Sequence, residues 1–461
     1  MSVEDRIRRR GPRRACRLVR QGVAAGFATL VAATGLRAQA PPVELSLAQA
    51  VSVASDTAPA VSLARLRTRE AEARLTQSRA VFFPRVGGAG AFVRERRNSA
   101  AFGIDFPTAP GQPGLPARIG PFNLWDARAE ASQTLFSPAG WLQASEAERG
   151  VDVSTAETGT AAQSAAARAA ASYVAALEAE ATLNARLREQ ELARELLDVA
   201  EQQLQAGVGT RLDLVRARTQ VAAAGTAIEL ARSQRTEARI ELARSLGYPA
   251  GTELALTDTL GAELGRSAAP RERAEAVDMA LRERPELGVA HARLEEATVG
   301  ARAVSAERLG SLQLVGDYGV NGREPSNLIA TGRLALRYSI PVFQGFRLDG
   351  RRDEREAQAA ETRLELAELR EEIVAEVESA LTGVESGEAR QALAREQLAL
   401  AEEEVREARL LFGNGLAGNI ALITAQTDLV NANNAMIDAL AQTAGARVRL
   451  ARAVGVTRSL Q

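Results

Sequence analysis

The period of the apolar positions changes along the chain, and the changes come twice in the same order. After Pro138 no proline interrupts the chain until Pro249, and Leu192, Leu196, Ala200 and Leu204 recur four apart with Arg and Glu between them. That spacing is the signature of an amphipathic helix. Ser137 before Pro138 forms an N-cap and first-turn pair, and Gly207 with Gly209 supplies a turn inside AGVGTRLDL, Ala206 to Leu214. The pattern predicts a helix over Pro138–Gln205, a tight turn, and a returning helix over Leu212–Leu246 stopped by Gly247, Tyr248 and Pro249. At the α-helical rise the first rod would be roughly 100 Å long, more than a globular core needs. A second proline-free span runs from Phe346 to the end, with Gly413, Gly415 and Gly418 at the matching interruption.

Between the helical spans the period falls to two. Trp125, Ala127, Ala129, Ala131 and Leu135 alternate with Asp126, Arg128, Glu130, Ser132 and Thr134, which predicts a strand with one apolar and one charged face. Val86, Gly88, Gly90 and Phe92 alternate with Gly87, Ala89, Ala91 and Val93 in a second, small-residue strand. In the other half, Leu312–Val320 sets Leu314, Gly316 and Tyr318 against Gln313 and Asp317, and Leu328–Ile340 sets Ala330, Leu334, Leu336 and Tyr338 against Thr331, Arg333, Arg337 and Ser339. Five prolines between Arg94 and Asn123 predict an exposed loop there. The helical pieces Leu45–Ser55 and Ala60–Val81 are broken at Pro59, with Ala64, Ala71 and Ala80 on the packing side; Ala250–Pro270 reads as a loose connector.

Internal similarity explains the order. A shift of 208 residues superposes GVGTRLDLVRARTQV, from Gly207, on GLAGNIALITAQTDL, from Gly415, and LARSLG at Leu242 on LARAVG at Leu450. A shift of 226 places Ala50, Ala54 and Pro59 on Ala276, Ala280 and Pro285. The chain is a tandem duplication: residues 1–40 as a leader, 41–269 as the first repeat with strands near 86–95 and 124–136 and a helical hairpin over 138–246, and 270–461 as the second with strands near 311–321 and 328–340 and a hairpin over 346–455.

Composition sharpens this reading. Aromatic residues are 4% of the chain, too few for a large conventional core. Nine of the 57 basic residues lie in residues 1–40 beside only Glu4 and Asp5, which leaves the remainder with 48 basic and 56 acidic side chains and speaks against a nucleic-acid partner. The leader has a basic region ending at Arg20, an apolar run Gly22–Leu36, and Ala38, Gln39, Ala40 before Pro41: a secretory signal with the mature chain beginning near Pro41. Cys16, the only cysteine, precedes the apolar run and is not at a lipoprotein cleavage site, so the expectation is no lipid anchor, no disulfide and no thiolate metal site. No later segment is apolar long enough to span a bilayer as a helix.

The strands fit a membrane in another way. Each is about ten residues, the length of a tilted transmembrane strand, and Phe82, Phe83, Trp125, Phe136, Trp141, Tyr338, Phe343 and Phe346 gather near strand ends like the aromatic girdles of a barrel. Four strands cannot close, and lipid does not tolerate open edges, so other copies must complete the sheet. Three chains would give twelve strands; two or four would also give even numbers. Two adjacent stripes on the closing helix, Ile423, Val430, Ile437, Ala444, Ala451 and Leu422, Leu429, Met436, Leu450, predict neighbours on both sides.

Together the twofold repeat, the openings AVSVASDTAP and AVDMALRERP, SRAVFFPRV before the first strand and the GVGTRLDLVRA turn resemble the TolC-type family of outer-membrane efflux and export channels, over nearly the whole mature chain. The resemblance implies a mainly α fold with transmembrane β: a homotrimer with a twelve-stranded barrel in the outer membrane of a Gram-negative bacterium, continued by a long periplasmic α-helical barrel. Its implied partners are a periplasmic adaptor and an inner-membrane pump, and it implies no cofactor and no chemistry. It implies that Gly207, Val208, Gly209, Thr210 and Gly415, Leu416, Ala417 form the adaptor-facing tip. Asp213 matches a family aspartate that helps hold the tip closed. Two acidic residues that narrow the pore of the type member are replaced here by Ala421 and Thr424, and an arginine that pairs across its closed tip by Ala417, so the resemblance implies a gate held differently.

Asp213 is also explained as a carboxylate near a helix N-terminus. Asp126, Arg128, Glu130, Arg333 and Arg337 are candidates for a barrel lumen, or for the solvated face of an ordinary sheet. His291 has no His or Cys partner with which to bind zinc, and GVGTRL lacks the third glycine and the βαβ setting of a dinucleotide loop. The competing class is a periplasmic coiled-coil adaptor or scaffold; an enzyme would need a nucleophile, base and orienting group that the chain does not show.

Overall fold

A computed structural model of the chain describes residues 43–98, 101, 118–249, 251–261, 263–413 and 418–460. The chain divides into two units, 1–41 and 42–461, and every described residue lies in the second. The expected signal (1–40) and the expected tip residues Gly415, Leu416 and Ala417 lie outside the described residues.

In chain order the elements are β1 (Val43–Leu45), α1 (Leu47–Thr57), α2 (Pro59–Arg79), β2 (Arg85–Asn98), β3 (Arg118–Phe136), α3 (Pro138–Gln205), α4 (Arg211–Leu246), β4 (Leu254–Leu256), α5 (Arg273–Glu283), α6 (Pro285–Ala306), β5 (Ser311–Gly322), β6 (Ile329–Ser339), α7 (Arg347–Gly413) and α8 (Asn419–Val454). Corresponding helices match in length. The long rods α3 and α7 have 68 and 67 residues, α4 and α8 have 36 each, α1 and α5 have 11 each, and α2 and α6 have 21 and 22.

The capping residues set these boundaries. Ser137 Oγ accepts from the Gly140 amide at the start of α3, with Pro138 in the first turn. Pro59 and Pro285 open α2 and α6, where a missing N–H costs nothing. Ala64 and Ala71 are buried as expected; Ala80 falls in a 3-10 turn after α2 and is exposed, because the chain there is already leaving the packed helix.

Two glycines join the short helices end to end. Gly247 (φ 81°) and Gly455 (φ 92°) cap α4 and α8 in the left-handed region. A Cβ on Gly247 would lie 3.1 Å from Pro59 Cδ, and one on Gly455 would lie 3.0 Å from the backbone of Glu283. The end of α4 therefore abuts the start of α2, and the end of α8 abuts the start of α6. Each stacked pair approaches the length of the rod it packs against.

The main buried cluster sits at this mid-height, where the chain crosses itself. Val43–Leu45 pairs in parallel with Leu254–Leu256. The Tyr173 hydroxyl, fully buried, lies 2.9 Å from both the Leu45 carbonyl and Asp258 Oδ2, and that carboxylate also accepts from the Leu47 amide at 2.7 Å. The expected loose connector thus contains a strand, which the sequence did not reveal because three residues carry no readable period. On the second repeat, Arg447 donates to Glu388 at 2.9 Å and to the Leu264 carbonyl at 3.3 Å, while Arg271 donates to both Glu388 oxygens. The hydrogen bond from Arg447, supported by Arg271, holds the Glu388 carboxyl below its ordinary range against the opposing effect of burial.

The four longer strands form one antiparallel sheet, order β2-β3-β5-β6. The first hairpin extends further than the alternation predicts, while the second keeps the expected limits to within a residue. β2 runs to Asn98 and β3 begins at Arg118, so the expected loop between Arg94 and Asn123 gives several residues to strand. Pro121 is tolerated because it falls at the irregularity between the Glu95 and Arg97 pairings, and because β5 pairs with β3 only as far as Trp125.

Two expectations follow. Gly247→Ala should cost about 1 kcal/mol or more, since Ala resists positive φ and its Cβ meets Pro59, whereas Gly251→Ala, with open space around it, should be near neutral; thermal melts followed by circular dichroism measure both. Because the folded pKa of Glu388 is depressed, its contribution is present above the unfolded value of about 4.5 and is lost as pH falls. Glu388→Gln should therefore flatten the acid side of a melting-temperature profile between pH 6 and pH 3, to be compared with the unsubstituted chain; an unchanged acid limb would contradict this.

Candidate functional site

The sheet is inverted relative to that of a water-soluble protein. Register places Phe92 beside Trp125, Ala129 beside Tyr318 and Tyr318 beside Gly332, so one face collects Val86, Phe92, Trp125, Tyr318, Leu334 and Leu336. These are among the most exposed apolar side chains of the chain, with Tyr318 at 69% and Leu334 at 77%. The charged face is the more sheltered one: the Asp317 side chain is only 10% exposed. A half-buried soluble sheet would hide the apolar side.

On the charged face, Arg128 lies across two strands, 2.5 Å from Asp126 and 2.8 Å from Asp317. Arg333 reaches Asp317 from β6 at 3.2 Å. The structure thus brings together three of the five expected lumen residues, Asp126, Arg128 and Arg333, around a carboxylate not singled out in the sequence. Asp317 was visible there only as an acidic residue on the polar side of its strand; its central position depends on the β3–β5 pairing, which joins the two repeats and has no local signal. Glu130 and Arg337 lie on the same face, Glu130 opposite Asp317 and Arg337 opposite Gln313.

Aromatic rings bracket the exposed apolar band. At its lower end Trp141 stacks on Phe82 (5.8 Å between centroids) and meets Phe136 edge-on (5.3 Å), while Phe343 and Phe346 pack at 5.7 Å. At its upper end Phe92 packs on Trp125 at 4.5 Å. From Trp125 to Phe136 a strand tilted as in a barrel rises roughly 28 Å, close to the apolar band of an outer-membrane protein.

The far ends of the rods form the second surface. Gly207 (φ 76°) and Gly209 turn the chain from α3 into α4, with the amides of Val208 and Gly209 both donating to the Gln203 carbonyl. Thr210 is the N-cap of α4, and its hydroxyl oxygen accepts from the Asp213 amide at 3.2 Å; Asp213 Oδ2 accepts from the Thr210 hydroxyl at 2.5 Å and, at 3.4 Å, from the Thr210 amide. Asp213 therefore completes a capping box in its own chain. Val208, Leu212 and Val215 project from this turn into solvent, and Leu410 and Ile420 do so from the ends of α7 and α8. Leu196 and Ala217 of the first hairpin pack with Val405, Phe412, Leu422 and Ala425 of the second, holding the two ends together. Ala421 is exposed with no charge to offer, and Thr424 is exposed with its hydroxyl spent on the Ile420 carbonyl.

Nothing assembles a catalytic centre among the described residues. No group of His, Cys, Asp or Glu could hold a metal there. His291 is exposed, its Nε2 3.5 Å from an Arg370 nitrogen, and no described helix is long and apolar enough to cross a membrane.

An outward-facing apolar sheet continuous with helical rods defines a membrane-embedded channel wall. Comparison with protein families agrees: the chain belongs to the outer membrane efflux protein family, whose profile matches residues 50–248 and 276–456, one stretch in each repeat. No curated protein matched in a sequence search. Among solved structures the chain is similar to the Campylobacter jejuni CmeC outer membrane channel, at 16% identity and a TM-score of 0.74, covering 89% of this chain and 86% of that one. It is similar also to the open state of the Neisseria gonorrhoeae MtrE outer membrane channel (19% identity, TM-score 0.72, 90% of each chain) and to the Vibrio cholerae outer membrane protein VceC (16%, 0.70, 89% and 96%). These similarities are of fold, and they cover both the sheet and the rods. By family the protein is an outer membrane efflux protein, and its fold is that of outer membrane channels.

Proposed function

We propose that three copies of this chain, each built from the repeats 41–269 and 270–461 after removal of 1–40, close a twelve-stranded barrel in the outer membrane and a helical tube beneath it. Solutes pass through the tube without chemical change, delivered by a periplasmic adaptor and an energised inner-membrane pump. The observation that carries this reading is the sheet: apolar side chains face outward, and both β2 and β6 leave an edge with no strand partner among the described residues. In lipid, an unpaired strand edge costs several kcal/mol per group, so closure by other copies is the solution that satisfies the backbone.

In this reading the face bearing Asp126, Arg128, Glu130, Arg333 and Arg337 lines the lumen. Its pairs Arg128–Asp126, Arg128–Asp317 and Arg333–Asp317 fill the space behind the barrel wall with charges that largely cancel. Gly207, Val208, Gly209 and Thr210, with Gly415, Leu416 and Ala417, form the adaptor-facing tip, where Val208 and Leu212 offer apolar contacts. Asp213, Ala421 and Thr424 occupy the gate level. With Asp213 the sole carboxylate of these three, the closed tip is held by few charges and its constriction has little cation preference.

Purified chain reconstituted in planar lipid bilayers should give discrete conductance steps without any energy source; mature protein that stays monomeric and soluble without detergent would overturn the channel reading. Asp213→Ala should raise single-channel conductance by loosening the tip, and unchanged conductance would remove Asp213 from the gate.

A further inference from the structure

The two hairpins of the sheet are unequal, and the difference lies at the end away from the helices. β5 pairs with β3 only as far as Trp125, whereas β2 stays paired with β3 out to Asn98 and Arg118. Residues 94–98 and 118–123 therefore stand beyond the four-stranded sheet as a two-stranded ribbon. From residue 94 to residue 123 the sequence holds four arginines, Arg94, Arg96, Arg97 and Arg118, against two carboxylates, Glu95 and Asp105.

Alternation divides the charges of β2 between two faces. Phe92 pairs with Trp125 on the outward apolar face, so the next pair on that face is Arg94 with Asn123. Further out, Glu95 pairs with Phe122 and Arg97 with Ile119, which leaves Arg96 alone opposite Gly120 and Pro121. The extra residue is in β3, so β2 keeps its alternation and Arg96 follows Arg94 onto the outward face. On the other face Arg97 is spent on Glu95, through hydrogen bonds of 2.8 and 3.2 Å, and Arg323 lies over the Phe122 ring at 5.8 Å. Arg94 and Arg96 are exposed and make no ion pair among the described residues.

The lower end of the outward face carries no such surplus. Beside the aromatic cluster there, Arg79 pairs with Glu148, Arg308 with Asp349, and Arg347 and Arg351 with Glu307. Arg85 and Arg337 make no ion pair among the described residues, but they belong to the charged face. Two free guanidinium groups and the Asn123 amide thus sit directly above the outermost aromatic pair, at one end of the apolar band only. Two residues of tilted strand lift Arg94 about 5 Å above Phe92, which is within the headgroup layer bordering the hydrocarbon.

We propose that Arg94 and Arg96, with Asn123 beside them, bind the phosphate of an anionic lipid headgroup in the outer leaflet of the membrane. This rests on the reading above that the apolar face meets lipid and the rods stand in the periplasm, and it goes beyond that reading by naming the lipid chemistry that the outward end of the sheet selects. A guanidinium presents paired donors that match two phosphate oxygens at once. Phe92 and Trp125, immediately beneath, hold the site at the interface, since such rings settle at headgroup level. The outward face also turns the site away from the proposed lumen, so a solute in transit does not reach it.

Tryptophan fluorescence tests the site. The chain has two tryptophans, Trp125 and Trp141, so Trp141→Phe leaves Trp125, one step below Arg94, as the only emitter. The full chain carrying this substitution is reconstituted in phosphatidylcholine vesicles containing a minor fraction of lipid with brominated, quenching acyl chains, either phosphatidic acid or phosphatidylcholine. Quenching should show brominated phosphatidic acid enriched around Trp125 on the order of tenfold over brominated phosphatidylcholine, the size expected of two arginines at a charged lipid surface. Arg94→Gln with Arg96→Gln should abolish the preference, Arg97→Gln should retain it, and millimolar inorganic phosphate should leave it in place. Equal quenching by the two lipids, or a preference that survives the double substitution, would overturn the proposal; displacement by inorganic phosphate would overturn it in favour of a free-anion site. If neither brominated lipid quenches Trp125, the failure lies instead with the reading that the apolar face meets lipid.

Discussion

The backbone hydrogen bonds at the two edges of a four-stranded sheet constrain everything else in this protein. β2 and β6 each present a row of N–H and C=O groups that no other segment of the described chain meets. In water such edges would be solvated, but the exposed face of this sheet is apolar and bracketed by aromatic rings, which places it in lipid. Lipid offers the edges no partner, and in the proposed assembly strands of other copies supply one. The inverted burial follows: charged side chains that would solvate an ordinary sheet bind one another on the face opposite the apolar one, with Asp317 receiving Arg128 from one strand and Arg333 from another.

The helices obey the same geometry at greater length. In the proposed ring each strand pair needs a support beneath it, and the duplication provides two equivalent ones per chain. Each support is a rod of nearly seventy residues flanked by two shorter helices that meet end to end, and the meeting is possible because Gly247 and Gly455 take a backbone conformation that side-chained residues resist. Where the rods cross the equator the chain ties itself together through Tyr173, Asp258 and the β1–β4 pair. At the far end the two hairpins are held by a small apolar cluster, and the first ends in a turn in which Val208 and Gly209 donate to the Gln203 carbonyl and Thr210 caps α4, with Val208 and Leu212 exposed.

Much of this was legible in the residues because it is local and periodic. The rod over Pro138–Gln205 follows from its cap, its proline and the four-residue spacing of its apolar positions, and the structure keeps those limits. The apolar and charged faces of β3 follow from simple alternation. Features set by long-range pairing were not legible. The first residues of β3 look like a proline-rich loop and become strand because β2 is there to pair with them. β1 and β4 are too short to show a period, and Asp317 gains its role from a junction between repeats. The tip was legible in part: the glycine turn can be read from sequence, and Asp213 was open between a tip contact and a carboxylate near a helix N-terminus, while its capping box with Thr210 emerges only from the bonds between them.

The central claim is that the outer edges of β2 and β6 are hydrogen-bonded in the membrane, and amide hydrogen exchange of the protein in lipid measures this directly. If the sheet closes with other copies, the edge-facing amides of Arg85–Glu95 and Ile329–Ser339 will exchange as slowly as those of the central strands β3 and β5. Rapid exchange along either edge in lipid-embedded protein, with β3 and β5 protected, would contradict the account.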